Sequence, residues 1–160
     1  MDLNRPLVVG ISGSSCSGKT TLAGNICKSI CGHDCVKERR RGKRDHASRL
    51  TVASGSRPRV SILCQDSFFR AQVPWWQWDT PDALNHELTL AALREECNDL
   101  EVDCLIFEGF KAYHDKRVVQ LLDILLWLDV PHELALERRL ARSRCTVDQF
   151  EDQIWAPGVA

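Results

Sequence analysis

The fold is decided by the stretch Gly13-Ser14-Ser15-Cys16-Ser17-Gly18-Lys19-Thr20, which is followed by Thr21. It matches the pattern G-x-x-x-x-G-K-[ST], whose glycines let successive backbone N–H groups turn inward and surround phosphate oxygens. In this pattern the lysine reaches the β- and γ-phosphates, and the last hydroxyl ligates Mg²⁺. An apolar run precedes the stretch and a helical pattern follows it, as a phosphate-binding loop requires. We therefore predict that residues 13–21 bind ATP, with Lys19 at the phosphates and Thr20 at Mg²⁺.

Four apolar runs predict the strands of a sheet. They are apolar throughout rather than alternating, which indicates strands covered by helices on both faces. The predicted strands are Pro6–Ile11, Val60–Cys64, Cys104–Phe107 and Ile124–Leu128. Their alternation with helical patterns predicts an α/β fold, a three-layer P-loop NTPase domain with a mostly parallel sheet, in which residues 1–160 form one domain.

Three longer helices are predicted between these strands. The first spans Lys19–Ile30 and has an apolar stripe at every fourth position. The second spans Pro81–Cys97, with Thr80 as its N-cap and proline at its first position. The apolar side of the second helix is predicted to consist of Leu84, Leu88, Ala91 and Ala92. The third helix begins at Pro131 and extends to about residue 144.

The composition narrows the classes of protein. The chain has 160 residues, with 21 Lys and Arg against 22 Asp and Glu, so its formal net charge is −1. This length suits one domain, and this charge gives no general argument for nucleic acid. The sequence contains neither an apolar run of about 18 residues nor a pattern typical of a secretory signal. We therefore expect a cytoplasmic protein, with the nucleus as the alternative, whose eight cysteines are reduced thiols.

A basic segment, residues 33–58, interrupts the alternation of predicted strands and helices. It contains eight Lys and Arg residues but only three acidic ones, and it ends in the loop-forming sequence Ser54–Pro58. Such a long stretch without apolar periodicity is either disordered or functional. We predict a disordered insertion, with a surface for a partner or nucleic acid as the alternative.

Two carboxylates follow predicted strands directly. Asp66 comes after the strand Val60–Cys64, and Glu108 ends the strand that begins at Cys104. In open α/β sheets, ligands bind at the carboxyl ends of the strands. Asp66 is therefore a candidate general base that accepts the proton of an attacking hydroxyl, and Glu108 is a candidate Mg²⁺ ligand. The alternatives are a loop or helix-capping carboxylate for Asp66 and a buried structural acid for Glu108.

Arginines dominate the last predicted helix. Arg138 and Arg142 are four residues apart and share a helix face, whereas Arg139 is expected to project elsewhere. Arginines at a transferring phosphoryl group offset its negative charge. The alternative is an exposed basic helix that pairs with Glu133 or Glu137.

Three cysteines recur at helical spacing. Cys27, Cys31 and Cys35 are four residues apart, with His33 between the last two. This spacing is not a standard ligand pattern for zinc or an iron–sulfur cluster, so we expect unligated thiols, with a metal site as the alternative.

Several stretches together resemble the uridine kinase-like group of small-molecule kinases, and most closely nicotinamide riboside kinases. Outside the phosphate-binding loop, they are Gln65-Asp66-Ser67-Phe68-Phe69, Gln77-Trp78-Asp79, Asp82-Ala83-Leu84-Asn85, Ile106-Phe107-Glu108-Gly109-Phe110 and Arg138-Arg139-Leu140-Ala141-Arg142. The resemblance covers residues 7–31 and 60–155. It implies that Arg138 and Arg142 belong to a lid over the phosphates.

The resemblance also implies roles in binding the acceptor. Asp66 would be the base toward a ribose 5′-hydroxyl, and Glu108 would lie near the substrate. Asp79 would bind the ribose 2′- and 3′-hydroxyls, since one carboxylate offers two acceptor oxygens. Trp78 would stack on the substrate ring, where a pyridinium would gain about 0.5–2 kcal/mol of cation–π energy. The resembled kinases continue beyond Trp155 with another strand, so we expect Ile124–Leu128 to form an exposed edge. Either the chain is a truncated product or another subunit covers this edge.

The expected function is therefore phosphorylation of a nucleoside 5′-hydroxyl by ATP and Mg²⁺. Nicotinamide riboside is the first choice of acceptor, and uridine, cytidine or another small alcohol is the alternative. A nucleotide-binding protein without catalysis is the alternative from another class. We expect a small-molecule partner and neither a membrane nor a nucleic acid.

Overall fold

A six-stranded sheet forms the centre of the computed structural model, which describes residues 5–32, 36–38, 49–51, 58–73, 77, 80–142 and 147–150. In the described part of the chain the strand order is β2-β3-β4-β5-β1-β6. The strands are β1 (Leu7–Gly13), β2 (Val36–Glu38), β3 (Arg49–Thr51), β4 (Val60–Cys64), β5 (Cys104–Glu108) and β6 (Ile124–Leu128).

The four neighbouring strands β4, β5, β1 and β6 run parallel, which confirms the mostly parallel sheet. The two short strands β3 and β2 add to β4 in antiparallel order. In the register, Glu108 lies opposite both Ile11 and Cys64. The carboxyl ends of β1, β4 and β5 therefore meet at one edge of the sheet, where ligands bind in open α/β sheets.

Helices cover both faces of the sheet, which confirms the three-layer α/β class. The helices are α1 (Lys19–Cys31), α2 (His86–Cys97), α3 (Lys116–Val119), α4 (His132–Arg142) and α5 (Val147–Phe150). On one face, Val8 and Leu105 pack with Leu93 of α2 and Val118 of α3. On the other face, Val9 and neighbouring strand residues pack with α1. Successive strand residues point to opposite faces, so apolar runs serve both layers.

The predicted start of α2 was wrong, and its predicted apolar side was right only in part. Pro81–Ala83 is a separate 3-10 turn, and Asn85 is the N-cap, since its side chain accepts a hydrogen bond of 3.1 Å from the N–H of Leu88. The buried residues of α2 are Thr89, Leu90, Leu93 and Glu96, whereas Ala91 is exposed. Of the predicted apolar side, Leu84 is buried just before the helix and Ala92 packs against the core. Leu90 and Leu93 bury more apolar area than Ala91 would, and this burial decides which side faces the sheet.

The basic segment contains two strands that were not predicted. Residues 33–58 include β2 and β3, although no strand was expected there.

One cysteine also differs from the expectation. Cys27 is buried and disulfide-bonded, so the expectation of reduced thiols was wrong for this residue. A disulfide depends on two Cα atoms lying about 4.4–6.8 Å apart, which sequence spacing does not reveal. Among the described residues, Cys16, Cys64, Cys97 and Cys104 are free thiols, and the thiol of Cys31 donates a hydrogen bond of 3.4 Å to the carbonyl oxygen of Pro58. His33 and Cys35 lie outside the described residues.

Strand β6 is the last strand of the sheet on its side, within the residues that the structure describes. It pairs with β1, and Ile124, Leu125 and Trp127 are exposed. Among the described helices, none combines the length and apolar character needed to cross a membrane.

Candidate active site

A cavity of about 1140 Å³ lies at the carboxyl ends of β1, β4 and β5. Three groups of residues line it: the loop after β1 with the start of α1, the segments after β4 and β5, and one side of α4. The lining residues are Ser15, Cys16, Ser17, Gly18, Lys19, Thr20, Thr21, Leu22, Asn25, Asp66, Phe69, Glu108, Phe110, Arg138, Arg139 and Arg142. All the predicted site residues that the structure describes line the cavity except Gly13 and Ser14, whose carbonyl oxygens accept hydrogen bonds from the side chain of Lys19.

The backbone of the phosphate-binding loop depends on glycine at two positions. Gly13 and Gly18 have φ angles of +144° and +98°, which L side chains rarely adopt. A Cβ atom on Gly13 would also lie 2.2 Å from the carbonyl oxygen of Leu128. Gly18 is the N-cap of α1 and provides no side-chain cap, so the first N–H groups of this 13-residue helix remain available to phosphate oxygens.

Lys19 and two buried hydroxyls give the loop its polar interior. The Nζ of Lys19 donates hydrogen bonds to the carbonyl oxygens of Gly13 and Ser14, at 3.0 and 2.7 Å. Burial lowers the pKa of Lys19, while the charges of Glu108 and Asp66 oppose this shift. The hydroxyl oxygens of Ser14 and Ser17 are buried and have no hydrogen-bond partner among the described residues. Buried donors of this kind are usually satisfied by a ligand or water, so the interior fits a polyphosphate.

Thr20 and Glu108 lie together, as the predicted Mg²⁺ site requires. The hydroxyl of Thr20 donates a hydrogen bond of 3.0 Å to Oε1 of Glu108, which is only 3% exposed. Cys64 lies beside Glu108 in the sheet register, and burial together with the negative charge of Glu108 raises the pKa of its thiol. Within the described residues no group of three His, Cys, Asp or Glu side chains could hold a metal ion. Two protein oxygens suit Mg²⁺, because this ion commonly keeps waters and takes substrate phosphates as its other ligands.

Asp66 faces the cavity from the 3-10 turn Gln65–Phe68, which follows β4 without a break. Its side chain is open to the cavity, yet the surrounding walls remove part of its solvation. This desolvation is the largest cause of its raised pKa, and the negative charge of Glu108 adds to it. The positive charges of Lys19, Arg142 and Arg139 oppose the shift. Asp66 is therefore a carboxylate whose proton affinity exceeds that of an ordinary aspartate.

Gln65 connects the two carboxylate-bearing segments, and sequence reasoning missed it. Its buried Oε1 accepts a hydrogen bond of 3.0 Å from the backbone N–H of Lys111. A Cβ atom on Gly109 would lie 2.3 Å from the same Oε1, so this position needs glycine. The side chain of Gln65 therefore fixes the segment after β5 against the turn that carries Asp66.

Helix α4 contributes three arginines to the cavity rather than two. Arg138 donates a hydrogen bond of 3.2 Å from Nη1 to the carbonyl oxygen of Cys16, which joins α4 to the phosphate-binding loop. Arg139 also lines the cavity, so the expectation that it projects elsewhere was wrong. Adjacent helical residues diverge by only about 100°, and the cavity is wide enough to receive both side chains.

Sequence reasoning also missed two aromatic residues of the site. Phe69 and Phe110 line the cavity shortly after Asp66 and Glu108. Both stand in stretches that resemble the kinase family, just beyond the two candidate carboxylates, but no role was assigned to them. Trp78 and Asp79, predicted to hold the acceptor, lie outside the described residues.

Comparison with known proteins agrees with this arrangement. The sequence profile of the Phosphoribulokinase / Uridine kinase family matches residues 69–149. The chain belongs to this family. The matched residues include Phe69, Phe110, Glu108 and the arginines of α4. They do not include the phosphate-binding loop, so the loop supports membership of the family independently of this match.

Individual relatives are distant. Uridine-cytidine kinase B of Dictyostelium discoideum is 24% identical over 166 residues, which cover 86% of this chain and 58% of the relative. Uridine/cytidine kinase UKL1, chloroplastic, of Arabidopsis thaliana is 25% identical over 178 residues, which cover 92% of this chain and 31% of the relative. The chain thus spans 58% and 31% of the lengths of these two relatives.

A solved structure shows the same fold. The putative fructose transport system kinase from Silicibacter sp. TM1040 superposes with a TM-score of 0.69 at 13% identity, and the match covers 99% of this chain and 85% of that one. At this identity the likeness concerns the fold alone.

Proposed function

We propose that this chain transfers the γ-phosphoryl group of ATP to the 5′-hydroxyl of a nucleoside. The observation that carries the proposal is the meeting of Asp66, Glu108, Lys19 and the α4 arginines in one cavity. A phosphate-binding loop alone serves many reactions, but a carboxylate with raised proton affinity opposite that loop is what a hydroxyl acceptor requires. The uridine kinase names of the relatives support the same class of reaction.

In this proposal the residues of the chain mainly position the reactants and balance charge. Asp66 accepts the proton of the attacking hydroxyl, and its raised pKa makes it a stronger base than an ordinary aspartate. Lys19 and the α4 arginines place positive charge around the transferred group, where negative charge is spread over the phosphoryl oxygens. Thr20 and Glu108 would hold Mg²⁺, which when bound neutralises charge on the phosphates.

Two acceptors have specific support. The stretches around Trp78, Asp79 and Glu108 resemble nicotinamide riboside kinases, which favours nicotinamide riboside. The relatives named uridine or uridine-cytidine kinases favour uridine or cytidine. In either case Asp79 is proposed to bind the ribose hydroxyls and Trp78 to stack on the base.

The experiment is a measurement of ADP release by the purified chain with ATP and Mg²⁺. Nicotinamide riboside, uridine, cytidine and no acceptor are compared. We expect release that depends on a nucleoside, with the product phosphorylated at the 5′ position. A folded sample that binds ATP but releases no ADP with any of these acceptors would contradict the proposal.

Two further expectations remain predictions. They are a cytoplasmic location and a second copy that covers the exposed edge at β6. Localisation of the tagged protein in cells tests the first, and the mass in solution tests the second.

A further inference from the structure

Segment 109–111, which follows β5, joins the three parts of the site. It comes directly after Glu108, the proposed Mg²⁺ ligand. Two buried side chains from the ends of other strands reach it: Ser12, the last residue before the phosphate-binding loop, and Gln65, which directly precedes Asp66. Neither of these two side chains lines the cavity. Any effect that they have on the chemistry must therefore pass through the segment that they hold.

The link to the phosphate side is the hydroxyl of Ser12. It donates a hydrogen bond of 3.1 Å to the carbonyl oxygen of Gly109, and the carbonyl oxygen of Phe110 lies 3.3 Å away as a second acceptor. The backbone N–H of Gly109 donates a further hydrogen bond of 3.0 Å to the carbonyl oxygen of Ile11. Two successive residues of β1 therefore hold the segment, directly before the phosphate-binding loop begins.

The link to the acceptor side is the side chain of Gln65. Its Oε1 accepts the hydrogen bond of 3.0 Å from the Lys111 N–H, and it leaves no room for a Cβ atom on Gly109. A buried N–H that loses its acceptor is costly, so with an apolar side chain at position 65 the segment would shift toward another acceptor or water. Gln65 and Ser12 thus hold the same three residues from the ends of two different strands.

The charged groups of the site depend on this spacing. Desolvation and then the negative charge of Glu108 raise the pKa of Asp66, while the positive charge of Lys19 lowers it, so the three groups interact across the cavity. Transfer of a group requires reacting atoms about 3–3.5 Å apart, and a displacement of about 1 Å can lower the rate by about 10²-fold. A shift of segment 109–111 would displace the carboxylates from the phosphate-binding loop without removing any group that binds a ligand.

We propose that Ser12 and Gln65 are positioning residues for phosphoryl transfer. Through segment 109–111 they set the distance between the phosphate-binding loop and the two carboxylates of the cavity. The inference rests on the proposed function for its effect on turnover, and it assigns to that function two residues that touch neither ATP nor the acceptor. Their loss should therefore lower kcat while the affinities for both ligands stay nearly the same.

Gln65→Met tests the link on the acceptor side. Methionine keeps the length of the side chain and removes the acceptor of the Lys111 N–H, so kcat should fall by about 10- to 100-fold. The dissociation constant of ATP and the KM of the nucleoside should each change by less than about threefold. Thr89→Val is the control, because it removes a hydrogen bond of 2.9 Å to the Asn85 carbonyl oxygen from a buried side chain of α2. It should lower the stability and leave kcat unchanged in folded samples.

Two buried serines test the link on the phosphate side. Ser12→Ala should lower kcat by about 2- to 10-fold, since the Gly109 N–H still holds the segment to β1. Ser61 of β4 is as deeply buried, but its hydroxyl has no hydrogen-bond partner among the described residues, so Ser61→Ala should leave kcat unchanged. The double variant of Ser12→Ala and Gln65→Met should lose more than the product of the two single losses, because each link holds the segment when the other is removed.

Three outcomes would overturn the inference. They are an unchanged kcat in Gln65→Met, a loss of ATP affinity as large as the loss of kcat, and a loss in the double variant no greater than the product of the single losses.

Turnover of the unmodified chain separates this inference from the proposed function. If the unmodified chain phosphorylates no acceptor, the proposed function fails, and amide hydrogen exchange then decides on the link without turnover. Faster exchange of the Gly109 N–H in Gln65→Met would leave the link standing, because the acceptor of that N–H, the Ile11 carbonyl, is untouched by the variant. Unchanged exchange at Gly109 would overturn it.

Discussion

The two sides of the cavity are built in different ways. The phosphate side is a single stretch, residues 13–21, whose shape follows from its own backbone. The acceptor side is assembled from the segments after β4 and β5 and from α4. A continuous stretch can define a binding loop by itself, whereas the acceptor side exists only when distant parts of the chain are folded together.

Charge is also distributed differently on the two sides. On the phosphate side, Lys19 is held by the carbonyl oxygens of its own loop. On the acceptor side, desolvation and then the negative charge of Glu108 raise the proton affinity of Asp66, while Lys19 of the phosphate side and the arginines of α4 lower it. A change at Asp66 should therefore alter the chemistry and spare nucleotide binding, while changes on the phosphate side should affect both.

The largest expected effect is that of Asp66→Asn. Asparagine keeps the shape but cannot accept the proton, so kcat should fall by about 10²- to 10⁴-fold. The dissociation constant of ATP should change by less than about twofold, since Asp66 lies on the acceptor side. Acceptor-dependent ADP release and ATP titration measure the two quantities. Asp82→Asn, an exposed aspartate outside the cavity, is the control. Equal loss of turnover and ATP binding would remove the distinction between the two sides.

Lys19→Met should weaken both phosphoryl transfer and ATP binding. The variant removes the charge that reaches the phosphates, so kcat should fall by about 10²- to 10³-fold and ATP should bind at least about tenfold more weakly. Lys116→Met, on the exposed surface of α3, should change neither quantity. Unchanged ATP affinity in a folded Lys19→Met sample would show that the phosphate side is not where the sequence places it.

Two glycine variants test whether the phosphate side is set by its backbone. Gly13→Ala places a Cβ atom 2.2 Å from the Leu128 carbonyl oxygen at a φ of +144°. It should lower the free energy of unfolding by about 1–3 kcal/mol or more. Gly24→Ala, within α1 and with nothing within 4 Å of the added atom, should raise it by about 0.5–1 kcal/mol. Urea unfolding measures both, and similar effects of the two variants would contradict the strict requirement at Gly13.

The contrast between a local stretch and an assembly of distant segments also explains which features the sequence could predict. The phosphate-binding loop, the four parallel strands and α1 were predicted nearly to the residue, because each follows from a local pattern of glycine or apolar residues. Asp66 and Glu108 were predicted to lie at the site since each directly follows or ends a buried strand, and the parallel sheet brings those strand ends together. Their chemical roles remain proposals.

The rest depends on contacts between distant elements. Gln65 is important through its bond to the Lys111 N–H, 46 residues away, which no local pattern encodes. The place of Arg139 depends on how α4 is set against the cavity rather than on spacing within the helix. The buried side of α2 likewise depended on whether leucines or alanines meet the sheet.

The smallest expected effect concerns stability and pH at Asp66. Its pKa in the folded protein is raised above 3.8, so between 3.8 and the raised value the folded state binds more protons than the unfolded state. The free energy of unfolding therefore falls as pH rises through this window and stays lowered above it. Asp66→Asn removes this cost and should be slightly more stable than the unmodified chain at pH 7, with the advantage shrinking as pH falls toward 3.8. The acid limb of kcat/KM should likewise lie above 3.8. Urea unfolding from pH 4 to 7 measures the difference in the free energy of unfolding between the variant and the unmodified chain. A variant that is less stable at pH 7 would show that the negative charge of Asp66 stabilises the folded protein, which would contradict the prediction.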